Sequence, residues 1–190
     1  MSLRTEFQGL CAKLESLDET LSRLRAAIDD HPQSGAAPHL LDSIGDAVED
    51  TRGWLEESLE LAAPVADGNE QGRADGFDVN RARQALVFCQ EQFNRIMSRF
   101  TFDLVSYDRV AQLVRLGRER RGEWQAWAEL VKQELEGCQQ QLYDTNQALF
   151  RCWLEIAERV GMTSVSVHTT TIGQQVTVPQ NPETTSEGMT

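Results

Sequence analysis

The sequence has few prolines and no long apolar run. Five prolines among 190 residues argue against pervasive disorder, and a hydrophobic fraction of 40% with 25% charged residues is typical of a globular chain. No apolar run reaches the roughly 18 residues that a membrane-spanning helix needs, and the N-terminus carries charges where a secretory signal is apolar. The sequence therefore predicts a folded, cytoplasmic protein with no membrane partner.

Histidine is also scarce, which limits the chemistry that the chain can perform. His31, His39 and His168 all fall outside the predicted helices. Carboxylate-bridged metal pairs in helical bundles use Glu-x-x-His motifs on helices, so the lack of a histidine in the predicted helices excludes a ferritin-like redox role. A catalytic triad would have to take its histidine from a loop. Glycine-rich phosphate-binding motifs are absent too. We predict no cofactor and no enzymatic activity.

The cysteines and the net charge limit the kinds of site and partner that the chain can have. Cys11, Cys89, Cys138 and Cys152 form no C-x-x-C pair and fall on predicted apolar helix faces, which predicts reduced core thiols. A net charge of −12 argues against nucleic acid or an anionic membrane as the main partner, because both attract a positive surface.

Apolar residues recur at alternating spacings of three and four, the heptad pattern of a helix that packs along one stripe. The first stripe predicts a helix over residues 2–30. A second helix ends at Pro64, and a third begins at Val79. The stripe residues are Leu3, Phe7, Leu10, Leu14, Leu17, Leu21, Leu24 and Ile28, then Leu41, Ile44, Val48, Thr51, Leu55, Ser58 and Ala62, then Val79, Ala82, Leu86, Cys89, Phe93, Ile96 and Phe100.

The third stripe leaves two interpretations open. It continues through Leu104, Tyr107, Ala111 and Val114 after a change of spacing, which either unwinds one long helix locally or marks a break near Phe102. A turn containing Gly117 and Gly122 precedes a fourth helix, which ends at a cap at Gly161. The fourth stripe is Val131, Leu135, Cys138, Leu142, Thr145, Leu149, Cys152, Ile156 and Val160.

These segments predict an all-α fold, an antiparallel four-helix, coiled-coil-like bundle over residues 1–162. The last two helices are longer than the first two. The third–fourth helix hairpin therefore projects by up to about 15 Å at 1.5 Å per residue, or else folds back near Phe102.

The predicted hairpin tip combines aromatic and basic residues. Trp124 and Trp127 lie beside Arg118 and Arg121 in the stretch "RLGRERRGEWQAW". If the tip projects, these residues form a partly covered surface of the kind that binds a protein partner. The alternatives are that the tryptophans close the end of the core and that the arginines are simply solvated.

The stretch "DGNEQGRADGFD" has the spacing of a calcium-binding loop. Asp67, Asn69, Asp75 and Asp78 occupy ligand positions 1, 3, 9 and 12 of a 12-residue loop that resembles the EF-hand. Gln71 replaces the acidic residue at position 5, and Asp78 is shorter than the usual glutamate. The alternative is a polar loop whose Asp78 caps the next helix, and we assign no metal site.

The C-terminal tail, residues 163–190, differs in composition from everything before it. Its apolar residues alternate with Ser, Thr and other polar residues, which is typical of a strand. A single strand needs a partner, whereas chance alternation in an unstructured end is the alternative. The residues that we expect to contact a partner are Val165, Val167, Ile172, Val176 and Val178.

Together these features favour a non-enzymatic interaction module. The hypothesis is an adaptor or assembly subunit that docks into a larger protein complex, or onto copies of itself, through a strand in its tail. The alternative is a ligand-responsive module in which the arginine tip binds an anion or the Asp67–Asp78 loop binds calcium.

Overall fold

The computed structural model describes residues 2–30, 32, 38–67, 78–101, 107–160, 166–170 and 173–177. This part of the chain is helical except for two short strands. The helices are α1 (Leu3–Asp29), α2 (Pro38–Asp67), α3 (Val79–Arg99), α4 (Tyr107–Arg120) and α5 (Glu123–Val160), and the strands are β1 (Ser166–Thr170) and β2 (Gly173–Thr177). The all-α character is confirmed, with five described helices instead of four.

Helix α1 begins at a serine cap and buries its predicted stripe. The Ser2 hydroxyl accepts a 3.3 Å hydrogen bond from the Thr5 amide, which satisfies one of the free N–H groups of the first turn. Every stripe residue from Leu3 to Ile28 is at most 3% exposed. The heptad prediction for this helix is therefore confirmed, because the 3.5-residue period keeps one face turned to the core.

Helix α2 does not stop at Pro64, and this prediction was wrong. The helix runs from Pro38 to Asp67 with Pro64 inside it, so His39 also lies in a helix and not outside one as the sequence predicted. Val65 and Ala66, which follow the proline, are 7% and 4% exposed. A proline removes one backbone hydrogen bond, and burial of these two side chains favours continuing the last turn despite that loss.

The predicted third helix is described in two parts, α3 and α4. Phe100 and Thr101 form a wider, π-type turn after Arg99, and the Thr101 hydroxyl donates a 2.6 Å hydrogen bond to the Met97 carbonyl. Such turns and side-chain bonds alter the regular ladder of a helix. The predicted break near Phe102 lies outside the described residues.

The buried face of α4 differs from the one that the sequence predicts. The sequence pattern places Ala111 and Val114 on the packing face, but Ala111 is exposed and Val114 is half-buried, while Leu113 and Gly117 are buried. A stripe counted forward from α3 therefore does not give the rotational phase of α4. The predicted stripe is wrong over residues 111–114.

The helices pack side by side and antiparallel. Lys13 on α1 pairs with Asp144 on α5 at 3.2 Å, and Arg23 further along α1 pairs with Glu134, so the two helices run in opposite directions. Helix α2 lies on the other side of α1, where Arg52 pairs with Asp18 at 2.9 Å. Helix α3 packs against α2 and α5, and α4 packs mainly against α5.

The hairpin of α4 and α5 does not project by 15 Å. The Trp127 indole nitrogen on α5 lies 2.7 Å from the Ala27 carbonyl oxygen on α1, so the beginning of α5 sits beside the end of α1. Only the four residues from Glu123 to Ala126 precede Trp127 in α5, a rise of about 6 Å. The projection is therefore smaller than the 15 Å that the sequence allowed.

Strands β1 and β2 pair with each other in antiparallel register. Val167 lies opposite Val176, and His168 lies opposite Gln175. Because side chains alternate between the two faces of a sheet, each of these pairs belongs to a different face. The sheet has two strands in the described part of the chain.

Candidate functional site

The aromatic residues predicted for the hairpin tip are buried. Trp124 and Trp127 are 5% and 6% exposed, and their rings meet edge to face with centroids 5.4 Å apart. The Trp127 indole N–H donates a hydrogen bond to the Ala27 carbonyl. This is one of the last four carbonyls of α1, which receive no hydrogen bond from an N–H group within the helix itself. Of the two interpretations, the burial supports the one in which the two tryptophans close the end of the core.

The basic residues of the tip are exposed around this aromatic pair. Arg118 and Arg121 are both exposed, while the Arg120 guanidinium carbon lies 5.0 Å from the centre of the Trp124 ring. A guanidinium over an indole face is a cation–π contact. The tip therefore presents exposed basic side chains around a buried pair of tryptophans.

The turn between α4 and α5 is made by two residues with positive φ. Arg121 and Gly122 both have φ 56°. Glycine adopts this conformation readily, whereas a residue with a Cβ does so at a cost of about 1 kcal/mol or more. The sequence placed Gly117 in this turn as well, but Gly117 lies inside α4.

Gly117 instead forms the closest approach between α4 and α5. A Cβ at this position would lie 2.8 Å from the Ala128 Cβ and 3.0 Å from the Trp124 carbonyl oxygen. Neither atom belongs to a flexible side chain, so neither could yield without a movement of the helices. We define the seam between the two helices as Leu113 and Gly117 on α4 with Trp124 and Ala128 on α5. The sequence did not predict this seam, because Gly117 was assigned to a turn.

The cysteines lie where the sequence placed them. Cys89, Cys138 and Cys152 are buried, Cys11 is half-buried, and all four are free thiols. Burial raises the pKa of Cys11 to about 11 and the pKa values of Cys89 and Cys138 to about 12, and it raises the pKa of Cys152 as well. Thiols with raised pKa values are poor nucleophiles and poor metal ligands.

The ends of the predicted calcium loop belong to helices. Asp67 is the last residue of α2, while Asn69 and Asp75 lie outside the described residues. The Asp78 carboxylate accepts hydrogen bonds of 2.9 and 3.2 Å from the Asn80 and Arg81 amides. Asp78 therefore caps α3, as the alternative interpretation expected. Among the described residues, no group of three or more His, Cys, Asp or Glu could hold a metal ion.

The structure describes only some of the tail residues that are predicted to contact a partner. Val167 and Val176 belong to β1 and β2 and face each other across the strand pair. Val165, Ile172 and Val178 lie outside the described residues. The backbone pairing brings together two of the five predicted contact residues.

One surface was not singled out from the sequence. A groove of about 590 Å³ lies over the outer face of α2, with Gly53 and the half-buried Trp54 among its lining residues. Acidic side chains dominate its rim, although Arg52 there is held by Asp18, whose hydrogen bond raises the pKa of the guanidinium. The only sequence signal for it is the acidic density of the stretch "EDTRGWLEESLE". The acidic lining residues are Asp18, Glu49, Asp50, Glu56 and Glu57.

Comparison with known proteins finds no matching family, no matching curated protein and no matching solved structure. Functional proposals for this chain therefore depend on its own residues and contacts. None of the described helices combines the length and the apolar character that crossing a membrane requires.

Proposed function

We propose that this chain is a non-enzymatic protein-interaction module, an adaptor or assembly subunit that docks into a larger protein complex in the cytoplasm through its C-terminal tail. The observation that carries the proposal is the strand pair in which Val167 faces Val176. A two-stranded sheet is marginally stable by itself in water. Strand β2 also contacts α5. Adding a partner's strand at the edge of the pair would supply further backbone hydrogen bonds.

The distribution of apolar side chains among the helices supports the same proposal. The heptad stripes of α1 and α5 face the core except at Val160, the last stripe residue of α5, which is exposed. The other large apolar residues that remain exposed on α5 are separated along its length: Leu130, Tyr143 and Leu154. Scattered apolar residues are ordinary on a protein surface and do not define an interface. A docking role therefore belongs more naturally to the tail than to the helical faces.

The overall charge supports a protein as the partner. At a net charge of −12, the chain would be repelled by nucleic acid and by anionic lipid. Backbone hydrogen bonds at a strand edge do not depend on net charge, so β-strand addition is compatible with an acidic protein. A second copy of the chain would satisfy the same edge as a different protein.

Truncations test the proposal directly. Affinity-tagged full-length protein is compared with variants that lack residues 163–190 or only residues 179–190, and co-purifying proteins and oligomeric state are measured for each. We expect the first deletion to abolish co-purification or self-association and the second to leave both unchanged. Circular dichroism should show that the helices persist in all three forms. Identical partners and oligomeric state with and without residues 163–190 would overturn the proposal.

Paired substitutions separate strand docking from a general effect of the tail. Val167→Lys with Val176→Lys places charge on one face of the strand pair and should weaken partner binding strongly. His168→Lys with Gln175→Lys is the matched control, because these residues form the neighbouring pair on the other face. Equal loss of binding in both double variants would indicate that the alternation of the tail has no role.

A ligand-responsive module is the second candidate, supported by the exposed guanidinium groups of Arg118 and Arg121. An anion bound there would stabilise the folded state, by about 2.7 kcal/mol at 100 times its dissociation constant. A thermal-shift screen of phosphate, pyrophosphate and citrate, with Arg118→Gln and Arg121→Gln as controls, tests this candidate. Calcium is included in the same screen, although the capping role of Asp78 counts against it.

A further inference from the structure

Helix α4 buries few of the side chains whose burial the structure describes. Among residues 111–120, Leu113 is the only side chain that is fully buried, Leu116 is partly buried against the core, and the buried glycine Gly117 contributes no side chain. Helix α3, which precedes it, buries eight residues along its length. Since burial of apolar side chains is the main stabilising term, residues 111–120 of α4 are held more weakly than α3.

The partners of α4 lie mainly on one helix. It packs against α5, whereas α1 packs extensively against both α2 and α5. The ion pair of Arg115 with Glu119 lies within α4 and does not tie it to a neighbour. A 14-residue helix is marginal in water without tertiary contacts, so α4 depends on the α5 seam for its structure.

The C-terminal end of α4 adjoins irregular backbone. Arg121 and Gly122 form a positive-φ turn directly after the helix. Changes at such points allow a helix to move without disturbing the ladder of its neighbours.

The surface beneath α4 is apolar. Trp124 and Ala128 on α5 are 5% and 3% exposed and form the α5 side of the seam. Trp124 also contacts Trp127, which is bonded to the end of α1. Movement of α4 would therefore uncover an aromatic side chain while Trp127 remains bonded.

We propose that α4 is a strap that opens as a unit, uncovering Trp124 and Ala128 on α5 while α1, α2, α3 and the rest of α5 stay folded. Opening breaks the Gly117 approach and the contact of Arg120 with Trp124. It leaves the ion pairs of α1 with α5 and the hydrogen bond of Trp127 intact. The strap is a conformational device that controls access to the covered aromatic surface, and it does not depend on the tail-docking proposal.

Native-state hydrogen exchange with mass-spectrometric readout tests the strap on the full-length protein. We expect the amides of residues 113–120 to exchange at least about tenfold faster than those of α1 and of residues 131–156, because a local opening is more frequent than global unfolding. Exchange of α4 at the same rate as α1 and α5 would show that α4 unfolds only with the whole protein, and would overturn the proposal.

Two variants and one control sharpen the result. Gly117→Ala forces a Cβ against Ala128, and Leu113→Ala removes the one fully buried side chain among residues 111–120. Each should raise the exchange rate of α4 by about fivefold or more and leave α1 and α3 unchanged. Gly53→Ala is the control, since nothing lies within 4 Å of the added Cβ. Equal acceleration in all helices would contradict a separate strap. If a variant fails to fold, the wild-type profile still decides.

Discussion

The indole nitrogen of Trp127 donates a 2.7 Å hydrogen bond to the backbone carbonyl of Ala27, one hundred residues away in the sequence. The acceptor is one of the last four carbonyls of α1, so a side chain of α5 provides part of the C-terminal cap of α1. The bond also sets how far α5 extends past α1. It explains why the hairpin tip is covered instead of projecting.

Replacing Trp127 tests this cap. Trp127→Phe keeps an aromatic ring against Trp124 but removes the N–H group, which leaves a buried carbonyl without this donor. We expect the free energy of unfolding to fall by about 1–2 kcal/mol, measured by urea denaturation. Trp54→Phe on α2 is the control, because Trp54 is half-buried, and it should cost less. Equal effects would mean that ring size matters and the hydrogen bond does not.

The turn between α4 and α5 carries a conformational cost at Arg121. Arg121→Gly removes the clash of the Cβ at φ 56° and should raise the free energy of unfolding by about 1 kcal/mol. The greater conformational entropy of glycine in the unfolded chain offsets part of this gain. Gly122→Ala introduces the same cost at the neighbouring residue and should lower stability by a similar amount. Thermal unfolding of both variants measures the effect. A stabilised Gly122→Ala would show that the turn relaxes to another conformation.

The proline inside α2 is expected to limit stability. Pro64→Ala restores an N–H group in the last turns of the helix and should stabilise the protein by roughly 1 kcal/mol, below the roughly 3 kcal/mol of a mid-helix proline. Pro38→Ala is the matched control, because Pro38 is the first residue of the helix, where no N–H bond is lost. Denaturant unfolding compares the two. A gain at Pro38 equal to that at Pro64 would contradict this account.

Burial should protect the thiols from modification. At pH 8, N-ethylmaleimide should label Cys89, Cys138 and Cys152 only slowly, because these thiols are buried and protonated. Cys11 is half-buried and should react first, although its pKa is also raised. Peptide mass spectrometry gives the labelled fraction of each cysteine, and labelling in urea shows that all four are free. Rapid labelling of Cys138 in the native protein would contradict its burial.

The same thiols make stability fall at alkaline pH. Burial raises the pKa values of Cys89 and Cys138 from 9.0 to about 12, so above pH 9 the unfolded chain releases protons that the folded chain retains. The free energy of unfolding therefore decreases as the pH rises from about 9 towards 12. The double variant Cys89→Ala with Cys138→Ala should be less stable at pH 8 but show a shallower decline, measured by urea unfolding at each pH. Parallel pH profiles would exclude the thiols as the cause.

Several sites could be predicted only in part. Asp78 was recognised both as a calcium ligand and as a helix cap, and its carboxylate bonds to the Asn80 and Arg81 amides. A spacing pattern cannot choose between these roles, because both place an acidic residue just before a helix. The seam at Gly117 was missed for a related reason, since glycine serves turns and close helix packing equally well.

The sequence by itself determined the helical class and the core faces of α1, α2 and α5, because a heptad stripe is a local property of the chain and selects the buried side of a helix. Tertiary structure decided the buried face of α4, the continuation of α2 through Pro64 and the burial of Trp124 and Trp127. Each of these depends on what covers a residue from a distant part of the chain. Periodicity gives the direction of a side chain and carries no information about its neighbour on another helix.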